Sequence, residues 1–278
     1  MSNWAKGRPA TEPVLPDEYF HRPSPARMWN YLQGGKDHYP LDRTAGDAMA
    51  AEYPDIFELA KQTRRYLMRA ARYVAAEGDV RQFLDVGCGL PAPSDLENLH
   101  DVIQDVHRQG RVVYVDNDKV VLAHARALLT SLVPDAGPID YIDSDVRDIR
   151  FILDEAAKTL DYTQPTAVCL LGILGHVADF DEACAIVDTV VSTVPSGSYL
   201  ILADGFDDGD ELHRGVANRN DTGIDSYHLR TLEQIQRYFL GLEVVEPGIL
   251  SVSAWRPHIA GTGAVRPVLQ YGGVARKP

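Results

Sequence analysis

Three acidic motifs stand at the ends of successive apolar runs: Phe83-Leu84-Asp85-Val86-Gly87-Cys88-Gly89, Val113-Tyr114-Val115-Asp116-Asn117-Asp118 and Asp143-Ser144-Asp145-Val146. A glycine pair at a strand end lets backbone approach a ligand with no Cβ in the way. In an open α/β sheet, ligands bind beyond the carboxyl ends of the strands, near the point where strand order reverses. Gly87-x-Gly89-x-x-Ala92 also fits the relaxed dinucleotide pattern, so the glycines alone leave a nicotinamide cofactor open. Asp85 argues the other way, because two residues before the first glycine its charge opposes a pyrophosphate. S-adenosylmethionine (SAM) has no phosphate; its ammonium and sulfonium welcome an acid. Asp116 is placed to accept both ribose hydroxyls of an adenosine in either cofactor, with Asn117 beside it and Asp118 capping the next helix. After the third strand of a SAM enzyme, an acid takes the adenine amino group and the next N–H reaches the ring; Asp145 and Val146 stand there.

His176 follows the fourth apolar run, where such folds present the methyl group, and can take a proton from a hydroxyl or amine acceptor; the competing reading is a histidine bonded to a backbone carbonyl. Methyl transfer needs alignment and exclusion of water more than it needs a base. Tyr31 and Gly35 lie in a polar-aromatic N-terminal stretch suited to a lid over the cofactor. His213, Arg214, Arg219, Tyr227, His228 and Arg230 crowd residues 206–230, which read as a polar loop able to border an acceptor pocket. His100 and His107 fall two helical turns apart, a spacing read as packing or solvated face rather than a metal site. The fourth run is followed by neither Asn-Pro-Pro-Tyr nor Asp-Pro-Pro-Tyr, and by no Pro-Cys, which disfavours methylation of adenine amines and of cytosine rings. A small acceptor methylated on oxygen or nitrogen is the expectation, with no metal.

The elements that must hold these residues follow from periodicity. Runs at 81–86, 111–116, 139–143, 167–174 and 198–203 recur about every 30 residues and are mostly β-branched and aromatic. Helical patterns separate them, carrying Leu96 to Val106, Val121 to Leu132 and Ala183 to Val194. Strand–helix alternation at this spacing means right-handed βαβ units and a mostly parallel sheet. The runs at 242–247, 249–255 and 268–274 have no long helix between them and are expected to finish the sheet antiparallel, after a helix opened by the capping box at Thr231 and Gln234. Ahead of the first strand, Ser24-Pro25 opens a short helix that Gly34-Gly35 stops, residues 36–47 read as a loop entering another helix, and a longer helix runs from Asp55 towards Gly78. Residues 1–78 form an N-terminal arm and helical cap, and 79–278 a Rossmann-like core, as one structural unit.

The motifs DVGCG, VDND and SDVRD resemble the SAM-dependent methyltransferase superfamily. SPARMWNYLQGGKDHYPLDR, RQFLDVGCGLP, VVYVDNDKVVLAHARALL, GSYLIL, GLEVVEPG, WRP and YGGVARK resemble, more narrowly, an actinobacterial family of SAM-dependent methyltransferases once known as a domain of unknown function. The resemblance spans nearly the whole chain. It implies the seven-stranded class I methyltransferase fold with an antiparallel last strand, and SAM as cofactor with S-adenosylhomocysteine (SAH) as product. It implies Asp85, Gly87 and Gly89 on the methionine side, Asp116 on the ribose, and Asp145 with Val146 on the adenine. It brings no acceptor. Here His38, Lys119 and Gly175 stand where Asn, Pro and Leu are usual, the last beside the expected reaction site. A NAD-dependent oxidoreductase and a non-catalytic SAM-binding protein are the alternatives.

The 278 residues are 45% hydrophobic and 24% charged, enough for a sizeable core. A net charge of −13 disfavours a nucleic-acid or anionic-membrane surface, since both need Lys and Arg in excess. Three cysteines without a C-x-x-C pair favour a reducing cytoplasm over a disulfide framework. No apolar stretch reaches the roughly 20 residues of a membrane span. Nothing in the sequence fixes an oligomeric state.

Overall fold

The computed structural model describes residues 21–93, 95–128, 134–257 and 265–278. Three helices come first, α1 (Pro25–Leu32), α2 (Pro40–Glu52) and α3 (Ile56–Ala76). The alternating part follows as β1 (Gln82–Val86), α4 (Leu99–Val106), β2 (Arg111–Asp116), α5 (Lys119–Leu128), β3 (Ile139–Asp143), α6 (Ile149–Ala156), β4 (Ala167–Leu171), α7 (Phe180–Thr193) and β5 (Tyr199–Gly205). The finish is α8 (Glu211–Asn220), α9 (Leu232–Arg237), β6 (Glu243–Val244), β7 (Leu250–Ser251) and β8 (Gln270–Arg276).

The sheet runs β3-β2-β1-β4-β5-β8-β6, and the short β7 also pairs with β8. Strands β1 to β5 are parallel, and β8 lies antiparallel to β5 with Tyr199 opposite Arg276 and Gly205 opposite Gln270. The chain goes outward from β1 to β3 and then returns to β4 on the other side of β1, so strand order reverses between β1 and β4. The crevice at that switch point is where a ligand belongs.

Strand parity sorts the core into two layers. Phe83, Val112, Tyr114, Cys169 and Ile201 face α1, α2, α3 and α4, while Leu84, Val113, Val115, Leu170 and Leu202 face α6, α7 and α9. Asp85 shares the parity of Phe83, so the fold turns its carboxylate towards α3.

The expected strands and most helices are present, and the capping box at Thr231 and Gln234 is formed. Leu129 and Leu132 lie outside the described residues, as does the arm over 1–20. Residues 36–47 are not all loop, since α2 starts at Pro40, with Asp42 accepting the Tyr39 N–H at 2.7 Å. The larger correction is α8, inside the stretch read as loop. Its buried face is Leu212, Gly215, Val216 and Arg219, which holds only two large apolar residues and leaves little periodic signal. It packs on α2, where a Cβ at Gly215 would press on the Met49 carbonyl.

Candidate functional site

A cavity of about 910 Å³ opens at the switch point. Its wall includes Asp85, Gly87, Gly89, Asp116, Asn117, Asp145, Val146 and His176, so eight of the ten residues singled out from sequence meet on one surface. Tyr31 and Gly35 are not in that wall. The Tyr31 hydroxyl donates to Asp47 at 2.7 Å and its ring lies edge-on to His38 and Phe57. Gly35 turns back on α1, its N–H on the Asn30 carbonyl.

Asp85 is 3% exposed, and its Oδ2 has no hydrogen-bond partner among the described residues. Burial pushes its carboxyl up to about 6, against the pull of the Arg64 charge. Next to it, Gly87 and Gly89 have φ of +75° and +65°, the left-handed region that other residues adopt only at a cost. A Cβ at Gly87 would strike Ile173, whereas one at Gly89 would meet nothing within 4 Å, so that position opens onto free space.

Asp116 accepts the N–H of Gly89 at 2.9 Å and of Asp118 at 3.0 Å, which ties the glycine loop to the end of β2. Burial still pushes its carboxyl up to about 7. Asp118 caps α5 through the Val120 N–H at 2.8 Å, as its spacing suggests. Asp145 accepts the Arg147 N–H and guanidinium, both at 2.9 Å, and the Asn117 amide at 3.0 Å. These bonds fix the loop that follows β3.

His176 lies in a single 3-10 turn after β4, with Nδ1 3.0 Å from the Ser226 carbonyl. A carbonyl accepts only, so Nδ1 carries the proton and Nε2 keeps a lone pair. Enclosure by neighbouring atoms, then the Arg219 charge, hold the ring down at about 4. The histidine thus bonds a backbone carbonyl and lines the cavity.

Tyr227 is the hub here. Its hydroxyl donates to Asp204 Oδ1 at 2.5 Å, and its ring lies edge-on to His176 at 5.2 Å. A Cβ at Gly175 would run into that ring, which gives the unusual glycine its steric reason. Asp204, fully buried at the end of β5, has an Oδ2 without a partner among the described residues, and burial pushes it up to about 6.

Sequence reasoning missed three polar residues of this region. Arg64 lines the cavity from the buried face of α3, with its Nε on the Glu97 carbonyl at 3.2 Å and an Nη on Asn98 at 3.3 Å. Its signal was an arginine four residues after Ala60 on a largely apolar helix face. Asp204 was legible as an acid inside the apolar run YLILADG. Gln270, 3% exposed and with an Nε2 that has no partner among the described residues, lines the cavity from β8 and gave no signal. Among the described residues no group of three or more His, Cys, Asp or Glu is arranged to hold a metal ion.

The N-terminal helices are pinned to the rim. Asp42 accepts Arg27 Nε at 2.8 Å and the Ser24 N–H at 2.8 Å, and the Ser24 hydroxyl donates to Asp118 at 2.5 Å. Arg27 and Asp42 are both buried.

The model of a family described as S-adenosyl methyltransferase matches residues 18–278. The chain belongs to that family. This methyltransferase is similar to a DUF574 family protein from Streptomyces avermitilis, 39% identical, with a TM-score of 0.86 over 93% of this chain and 99% of that one. It is also similar to a Thermobifida fusca protein provisionally assigned as a methyltransferase, 32% identical, with a TM-score of 0.83 over 95% of this chain and 99% of that one. The SAH-bound magnesium protoporphyrin IX methyltransferase of Synechocystis, 12% identical over 90% of this chain and 93% of its own, shares the fold with a TM-score of 0.52. No curated protein matches the chain. The methyltransferase uses SAM as its cofactor, and these matches favour neither the nicotinamide nor the non-catalytic alternative. No helix among the described residues is long and apolar enough to cross a membrane.

Proposed function

We propose that this methyltransferase transfers a methyl group to oxygen or nitrogen of a small acceptor inside the switch-point cavity. The observation that carries the assignment of its residues is the orphaned, buried Asp85 Oδ2 beside an open glycine loop. Beyond the distant pull of Arg64, an acid left without a hydrogen-bond partner in this way is stabilised by a bound ammonium. Asp85 would hold the methionine amine, with Gly87 and Gly89 giving the chain room, and Arg64 the methionine carboxylate. Asp116, which keeps acceptor capacity beyond its two backbone bonds, would take the ribose hydroxyls. Asp145, Val146 and Asn117 would frame the adenine. When bound, SAM supplies an electrophilic methyl on a sulfonium, which leaves with its electron pair on sulfur as an acceptor lone pair attacks in line.

His176 Nε2 is the proton acceptor in this reading, its tautomer set by Ser226. Residues up to 78 act as a cap that excludes water, with Ser24 and Arg27 as its fastening; Tyr31 and Gly35 serve by shaping α1 and its exit rather than by touching the cofactor. The concave site at the switch point and the net charge of −13 favour a small molecule over a nucleic acid. Three free thiols suit a reducing cytoplasm.

Calorimetric titration with SAM, SAH and NAD tests the assignment. Adenosyl ligands are expected to bind and NAD not. Asp85→Ala combined with Asp116→Ala should abolish binding, and undiminished SAM affinity in that double variant overturns these roles.

A further inference from the structure

One cation in the cavity wall keeps an open hydrogen-bonding edge. Arg219 is 2% exposed, sits on the buried face of α8 and lines the cavity. Among the described residues no carboxylate lies within ion-pair distance of it. Its Nη1 donates to the Asn220 side-chain oxygen and to the Asp225 carbonyl, both at 2.6 Å. Two N–H groups on Nη1 are thereby used. Nε and Nη2, which share the other edge of the guanidinium plane, have no hydrogen-bond partner among the described residues.

Burying a charge without a counter-charge is costly, and a fold retains one where something else completes it. The free Nε–Nη2 edge presents two parallel donors, the geometry that grips a planar carboxylate with two hydrogen bonds. The guanidinium is also held in place. The Asn220 amide both donates to and accepts from the Tyr227 backbone, each at 3.1 Å, and the Tyr227 ring lies 5.9 Å from the guanidinium carbon. Tyr227 in turn carries His176 on its edge, so the cation belongs to the acceptor side of the cavity rather than to the glycine loop. Nearby walls are apolar, from Met49, Leu212, Val216 and Leu229. One free guanidinium edge matches one carboxylate. Of the other charges in the wall, Asp225 and Glu182 are acids that would repel a dianion, and Arg147 is paired with Asp145.

We propose that Arg219 recognises a carboxylate on the methyl acceptor, so that the acceptor class is a small acid with an apolar body and a hydroxyl or amine as its nucleophile. This inference rests on the methyltransferase reading of the cavity, since it names that site's substrate.

The test uses the full chain saturated with SAH and three matched probes: benzoate, its neutral isostere benzamide, and phenylphosphonate as dianion. Titration calorimetry is expected to give benzoate at least about tenfold tighter than benzamide, a gap of about 1.4 kcal/mol. Arg219→Gln should erase that preference by weakening benzoate while leaving benzamide and SAH binding unchanged. Arg219→Lys should retain part of it. Equal binding of benzoate and benzamide by the wild-type protein overturns the proposal, and that comparison needs no variant to fold. Unchanged benzoate affinity in Arg219→Gln also overturns it, and tighter phenylphosphonate than benzoate overturns the carboxylate in favour of a phosphoryl group. Titration of SAH alone keeps the two readings apart: its failure removes the cofactor assignment, while the benzoate comparison repeated without SAH still tests Arg219.

Discussion

At the residue scale, the site is built from acids held where water would ordinarily stabilise them. Asp85, Asp116 and Asp204 all have carboxyls raised by burial, to about 6, 7 and 6. An acid raised in this way costs nothing below the unfolded pKa, where both states are protonated. Its cost grows as pH climbs from about 4 to the folded pKa and is constant above it. For Asp85, a rise from 3.8 to about 6 corresponds to roughly 3 kcal/mol at 1.36 kcal/mol per unit. Asp85→Asn is therefore expected to stabilise the ligand-free protein by about 2–3 kcal/mol at pH 8 while losing SAM binding. That advantage should shrink as pH falls through 6 and vanish near 4; urea unfolding at both ends of the range checks it. Cofactor binding should move oppositely to protonation. A carboxylic acid attracts an ammonium poorly, so SAH affinity measured at pH 5 should be about tenfold below that at pH 8.

At the element scale, the turn after β4 and the segment after α8 fit each other. Gly175 gives up a side chain so that Tyr227 can reach Asp204. Gly175→Leu is expected to destabilise by about 1–3 kcal/mol through overpacking. Tyr227→Ala should relieve most of that clash, so the double variant should be far from additive; additivity within about 0.5 kcal/mol would mean that the two do not share the space. The fastening of α1 and α2 makes a second case. Removing the buried carboxylate in Asp42→Ala leaves Arg27 with only Asp118, 4.0 Å away, as a counter-charge. A loss of about 3–5 kcal/mol is expected, measurable by thermal and urea unfolding.

At the scale of the whole molecule, helices and sheet share one core. Met28, Leu32, Ile56 and Leu59 from the N-terminal helices pack in the same cluster as Phe83, Val112 and Ile201 from the strands. Calorimetry should then show one unfolding transition for the cap and the sheet together. Saturating SAH at about 100 times its Kd adds about 2.7 kcal/mol, which should raise Tm by about 5–10 °C. A cap that melts first and alone, or a Tm indifferent to SAH, would contradict this arrangement.

The sequence by itself determined the strands, the order of helices between them, and the acids at three strand ends. Those features are local: a short continuous apolar run rich in β-branched residues marks a buried strand, a period near 3.6 marks a helix, and a residue at a strand's carboxyl end inherits its place in the crevice. Eight of the ten chosen site residues line the cavity for that reason. Only the tertiary structure decided the rest. Arg64 acts on Asp85 through its charge because strand parity turns the acid towards α3, and Tyr227 finds Asp204 across 23 residues. Arg219 became a cavity residue because a weakly apolar helix, α8, docks on α2 and buries it. Tyr31 and Gly35 were drawn to other partners within the cap by the same kind of packing. Such pairings depend on which faces of distant elements meet, and no local spacing in the chain encodes that.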